Sequence, residues 1–144
     1  MKNSRSLDDL LPWVKTKAEA FIAECDKEGI DILITSTYRD NECQDALFAQ
    51  GRTKPGKIVT NARAGYSWHN WQCAFDFVPL VNGKAQWEDL ELFTRCGVIA
   101  EAYGLEWAGR WKKFREYAHV QATGGMTLAD LQAGKKLTGD RGQS

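Results

Sequence analysis

The chain has 144 residues, 43% of them apolar, and its 19 Lys and Arg balance 19 Asp and Glu, which suits one compact domain that needs no disulfide or structural metal to hold a core. A net charge of zero and a sequence pI near 6.7 argue against a general affinity for nucleic acid or an anionic membrane surface. No stretch approaches the roughly 18 apolar residues that cross a bilayer, so no membrane span is expected.

In chain order, Pro12 can open a helix, and Val14, Ala18, Phe21, Ile22 and Cys25 recur at helical spacing until Gly29, which predicts a helix over 12–28. The β-branched run 30–36 reads as a strand. Asp40 can cap a second helix over 41–50 with Cys43, Ala46 and Leu47 on one face, and Gly51 ends it. Residues 51–68 read as a long loop with a short strand at 58–61, and a loop of that length in a compact domain commonly carries function. A buried strand over 73–78, stopped by Pro79, carries Asp76, an uncomfortable place for an unpaired carboxylate. A helix over 87–103 follows, then short strands at 105–107 and 117–121, and a last short helix around Leu128 and Leu131. The reading is one domain over 1–134 and a polar tail over 135–144.

Cys25, Cys43, Cys73 and Cys96 are widely spaced without a C-x-x-C pair, and read as reduced, buried small hydrophobes. Six Trp suggest a cleft with flat apolar walls as well as a core. The chain has only two histidines, and each lies near a carboxylate: His69 is seven residues before Asp76, and His119 is three after Glu116. Two imidazoles and a carboxylate, with one position open to water, form the ligand set of a catalytic zinc site, and a further carboxylate that is not a ligand suits a general base. Spacing alone leaves structural readings open. His69 can cap a loop, His119 can be a hydrogen-bonded strand histidine, Asp76 can pair with Arg63, and Glu116 can be a solvated acid.

The stretch 35–78 resembles the zinc peptidases of the D-alanyl-D-alanine carboxypeptidase and L-alanyl-D-glutamate endopeptidase family, which cleave bacterial cell-wall peptides and include phage endolysins and VanY-type carboxypeptidases. The family's S-x-H-x-x-G-x-A-x-D pattern is matched by Ser67, His69, Ala74 and Asp76. A second block, GLEWAGRWKKFREYAHVQ over 104–121, is similar to the family's G-x-E-W-G-G-x-W followed by an acid three before the last His. The resemblance implies His69, Asp76 and His119 as ligands of one zinc per chain, Glu116 as the base, and Arg39 as substrate binder and oxyanion support. It also implies Ser67 as a substrate hydrogen-bonder and Gln44 as a residue that braces the site. The residue-level alternatives are a salt bridge from Arg39 to Asp40 or Glu42 and a plain turn role for Ser67. Gln72, Ala108 and Arg110 depart from the pattern, and Gln72 in place of Gly is expected to restrict the positive φ range there.

The implied fold is α+β, a small, mainly antiparallel sheet flanked by about three helices with the zinc in a cleft on the sheet. The implied activity is hydrolysis of peptidoglycan stem peptides or cross-links by a monomeric, bacteriolytic metallopeptidase. The blocks GRT, IVTNA and GLEW look more like the L-alanyl-D-glutamate branch, with a D-alanyl-D-alanine carboxypeptidase as the alternative. Residues 1–9 lack the apolar core of a secretory signal, so the expectation is an endolysin held in the cytoplasm until it is released to the wall. Two rivals remain: a non-catalytic wall-binding module of the same fold, and a Cys/His hydrolase built on Cys73.

Overall fold

The computed structural model describes residues 1–136. The predicted tail therefore lies outside the described residues from 137 onward. Among the described residues the order is α1 (Pro12–Lys27), β1 (Asp31–Ser36), α2 (Asn41–Ala49), β2 (Ala74–Val81), β3 (Lys84–Ala85), α3 (Leu90–Ala102), β4 (Glu106–Trp107), β5 (His119–Gln121) and α4 (Leu128–Gln132). The strands form one antiparallel sheet in the order β1-β2-β5-β4, with β3 paired to β2. This is the expected α+β architecture: three longer helices and the last short helix around Leu128 and Leu131.

Helices α1 and α3 pack together and cover one face of the sheet. Alternation along β2 turns Phe75 and Phe77 toward them, where the Phe21 ring lies 5.8 and 5.2 Å from these two and Phe93 lies 5.5 Å from Phe77. All four rings are essentially buried, and each fully buried ring stabilises the fold by roughly 1.5–3 kcal/mol. This frees the other face of β2 for polar chemistry.

Three elements differ from expectation. The proposed strand at 58–61 does not form: the chain there is loop. Strand β2 runs through Pro79 to Val81, because β5 pairs with it only as far as Asp76 and β3 pairs with it only from Leu80, so the proline has a neighbouring strand on one side only. Helix α3 starts at Leu90 instead of Trp87, since the Asp89 carboxylate accepts the Leu92 N–H and caps it. Trp87 is thereby left outside the helix, 53% exposed at the edge of the cleft described below.

Trp107 ties the core to the strand that carries His119. Its Nε1 donates to the Tyr117 carbonyl at 2.9 Å, and its indole lies against Gly97 of α3 and Gly109 so closely that a Cβ on either glycine would collide with the ring. Gly97→Ala is expected to lower stability by about 1–3 kcal/mol despite the better helix propensity of alanine, because overpacking outweighs it. A denaturant midpoint that falls at constant m would show it; an unchanged midpoint would mean the indole shifts freely.

Candidate metal centre

The uncovered face of the sheet places a row of polar side chains across three strands. Asp76 in β2 stands opposite His119 in β5 and opposite Ser36 in β1, where the register shifts between Ile34 and Ser36. His69 arrives from the 3-10 turn Trp68–Trp71, which Ser67 caps by accepting the His69 N–H. Gln72 ends that turn at φ 63, the left-handed conformation that Gly favours, so the expected restriction at this position is overcome. Its side chain donates to the Asp9 carbonyl at 2.9 Å and its own carbonyl accepts the Leu11 N–H at 2.9 Å, two bonds that hold the turn.

Asp76 Oδ1 lies 3.1 Å from His69 Nε2 and 3.2 Å from His119 Nδ1. The outer ring nitrogens settle what these inner contacts are. His69 Nδ1 meets the Thr37 carbonyl at 2.7 Å, which can only accept, so Nδ1 carries the proton and Nε2 presents a lone pair. Gln121 donates its amide to the Glu106 carboxylate at 2.8 Å, so its Oε1 faces His119 Nε2 at 2.7 Å and that nitrogen carries the proton. His119 Nδ1 therefore also presents a lone pair. Three electron-rich atoms on buried or half-buried side chains, all within 4.8 Å of one another, converge with nothing but a cation able to reconcile them.

The titration behaviour has the same origin. Burial pushes the Asp76 carboxyl up, but the two imidazoles outweigh it and hold the group well below the usual carboxylate range. Burial pushes His69 down. At His119 burial also works downward, yet the hydrogen bond and charge of Asp76 win and raise it above 6.5. Two histidines and a carboxylate, each histidine held by an outer acceptor, suit zinc, and donors about 2.0–2.2 Å from a tetrahedral metal lie roughly 3.3–3.6 Å apart, close to the two spacings from Asp76 to the histidines.

The trio forms part of the wall of a cleft of about 730 Å3 that Arg39, Ser67 and Glu116 also line, so the structure brings these predicted site residues together. Arg39 pairs with Asp76 Oδ2 at 3.2 Å, not with Asp40 or Glu42, and Asp76 thus takes Arg39 as its arginine instead of Arg63. Its Nε and Nη1 donate to Ser36 Oγ and Gln44 Oε1, which leaves one N–H on each Nη to face the cleft. Gln44 is fully buried and braces the arginine while its amide donates to the Ala62 carbonyl at 2.7 Å. Ser67 serves the turn and borders the cleft at once. Glu116 is exposed and stands apart from the three converging ligand atoms. Trp68, Trp87 and Trp111 supply the flat walls. Cys73 is fully buried and its thiol is pushed up to about 12, which removes it as a nucleophile.

Thr37, Gln121 and Glu106 were not singled out from the sequence. A backbone carbonyl leaves no mark in a sequence, but Gln121 lies two after His119 in a strand and so shares its face, a signal that could have been used. Replacing Gln121 by Leu is expected to weaken zinc binding by about 10–100-fold, because the His119 tautomer is no longer held. Competition against a chromogenic chelator measures this, and unchanged affinity would show that the Glu106–Gln121 link is idle.

Comparison with known proteins identifies one family and one fold. The VanY family model, described as D-alanyl-D-alanine carboxypeptidase, matches residues 8–121. The chain is 41% identical over 128 residues to the peptidoglycan L-alanyl-D-glutamate endopeptidase CwlK of Bacillus subtilis (strain 168), spanning 78% of this chain and 73% of that one. Among solved structures, the L-Ala D-Glu endopeptidase ChiX of Serratia marcescens superposes with a TM-score of 0.63 at 18% identity, over 89% of this chain and 90% of that one. The vancomycin-resistance D,D-pentapeptidase VanY, solved with Zn(II), gives a TM-score of 0.63 at 13% identity, over 92% and 84%.

Proposed function

The chain belongs to the VanY family of peptidoglycan-cleaving peptidases, and on that premise we propose that it is a zinc-dependent endopeptidase for the L-alanyl-D-glutamate bond of the wall's stem peptide. The observation that carries the choice of bond is the 41% identity to an L-alanyl-D-glutamate endopeptidase across most of both chains. The observation that carries the metal is the convergence of three lone pairs from His69, Asp76 and His119.

His69 Nε2, Asp76 Oδ1 and His119 Nδ1 would hold the zinc. When bound, it supplies Lewis acidity that polarises the scissile carbonyl and makes the attacking water a better acid. Glu116 takes the proton of that water and passes it to the leaving amine. Arg39, fixed by Ser36, Gln44 and Asp76, aims its two remaining N–H groups at the developing oxyanion or at a substrate carboxylate. Ser67 offers its hydroxyl hydrogen to the peptide while its oxygen keeps the His69 turn in place. The aromatic walls exclude water from the bond being cut.

Digestion of purified cell wall, with the new termini identified by mass spectrometry, tests the reading. New L-alanine C-termini paired with D-glutamate N-termini are the expected products. Release of D-alanine alone would overturn the choice of bond and assign carboxypeptidase activity, and binding without any cleavage would favour the non-catalytic module.

A further inference from the structure

The zero net charge conceals a strong segregation. Residues 46–75 contain Arg52, Lys54, Lys57 and Arg63 and no acid, and residues 107–115 contain Arg110, Lys112, Lys113 and Arg115 and no acid. Eight of the 19 cations and none of the 19 acids thus fall in two stretches, and both supply residues that line the cleft, Val59 to His69 from one and Trp111 and Phe114 from the other.

Pairing sharpens the contrast. Elsewhere Lys2, Lys15, Lys27, Arg95 and Lys135 each reach a carboxylate, while Arg5 and Lys84 are exposed and meet none among the described residues. Arg110 does so too, through Glu101, and Arg52 is occupied by the carbonyls of Phe48 and Thr60. By contrast Lys54, Lys57, Lys112 and Lys113 are exposed and meet no carboxylate among the described residues, and Arg63 only stacks over Phe48 at 5.0 Å. The charged residues of the cleft lining itself are Arg39, Asp76 and Glu116; these cations stand outside it, on the two stretches that supply other parts of its wall. Unneutralised charge of one sign beside a cleft raises the local concentration of ligands of opposite sign.

We propose that these two loops form an anion-recognition surface for the free carboxylates of the stem peptide, foremost the one that D-glutamate retains beside the bond to be cut. The assignment rests on the endopeptidase reading, and its chemistry follows from it: glutamate has two carboxyl groups, and chain continuation consumes at most one. Phosphate polymers of the wall and nucleic acid present anions as well, but neither places one next to a peptide bond over the zinc ligands.

The test uses a soluble, polymer-free stem-peptide fragment and its analogue with the glutamate carboxyl amidated. For the zinc-loaded wild type, kcat/KM on the free acid is expected to fall about tenfold or more between 20 and 500 mM salt. The variant Lys54→Glu/Lys112→Glu/Lys113→Glu is expected to start at the high-salt level and stay there, with zinc content and melting temperature unchanged. The amidated fragment is expected to show a weaker salt dependence than the acid. Identical salt profiles for wild type and variant would overturn the proposal, and so would identical profiles for acid and amide, which would point to another anion. Binding of both fragments to the zinc-loaded Glu116→Gln protein, followed by tryptophan fluorescence, gives the same comparison where no bond is cut. The identity of the cleaved bond is read separately from the products, so a failure of the endopeptidase reading is distinguished from a failure of this proposal.

Discussion

Replacing Glu116 by Gln is expected to lower turnover by about 10²–10⁴-fold while the protein keeps one equivalent of zinc. The two halves of that expectation have different grounds. The side chain is exposed, so an isosteric amide disturbs no packing, and its carboxylate is not among the three ligand atoms that converge within 4.8 Å. What the substitution removes is the ability to accept a proton at the edge of the cleft, beside His119, whose proton affinity the Glu116 charge helps to raise. Glu116→Asp, which draws the carboxylate back by one methylene, should retain part of the rate. Stopped product formation with zinc retained supports a base; loss of zinc would make Glu116 a ligand, and full activity would mean the proton goes elsewhere. A wall-binding module with no catalytic role would show no turnover in the wild type either.

Much of this site was legible because its parts lie in two compact blocks. His69 and Asp76 sit on either side of one turn, and Glu116 and His119 sit three apart before a strand. What joins the blocks is strand register, and a sequence carries register only weakly: nothing in it says that Asp76 will stand opposite His119, or that a shift after Ile34 will bring Ser36 into the same row. The partner of Asp76 was open for the same reason, and Arg39 takes that place while the Asp40 carboxylate caps α2, accepting the Cys43 N–H and the Lys2 N–H. The helix over Pro12–Lys27 was readable from its apolar spacing alone, since five buried or half-buried residues share one face. The loop around Val59 misled because two β-branched residues suggest a strand, yet both Ile58 and Val59 are at least half exposed and find no neighbouring strand. Charge was misleading in a different way, since a zero sum says nothing of where the charges sit.

Removing His119 is expected to cost the protein its zinc and its activity together. If three ligands share a binding free energy on the order of 10 kcal/mol, each accounts for about 3 kcal/mol, so His119→Ala should weaken zinc binding by roughly a hundredfold or more. Proton competition gives a second readout. In the metal-free protein a proton competes with the metal for the lone pair of His119 Nδ1 facing Asp76 Oδ1: the Asp76 hydrogen bond and charge raise this histidine above 6.5, while burial lowers His69 below it. A raised value means that the His119–Asp76 contribution to stability is fully present below 6.5 and is lost as pH rises through the raised value. The lowered value of His69 acts in a separate window: its neutral, buried form contributes above 6.5 and loses ground as pH falls toward the lowered value. Of the two histidines, then, His119 governs between pH 6.5 and the onset of the raised N-terminal amine above 8.0, and the metal-free protein should melt at progressively lower temperature as pH rises through this window. His119→Ala should remove that slope. In the wild type, zinc added at pH 7 should displace the proton and restore the lost stability, with proton release measurable by titration in buffers of different ionisation enthalpy. Metal-free wild type whose melting temperature is flat above pH 6.5, together with a His119→Ala protein that binds zinc undiminished, would remove His119 from the centre.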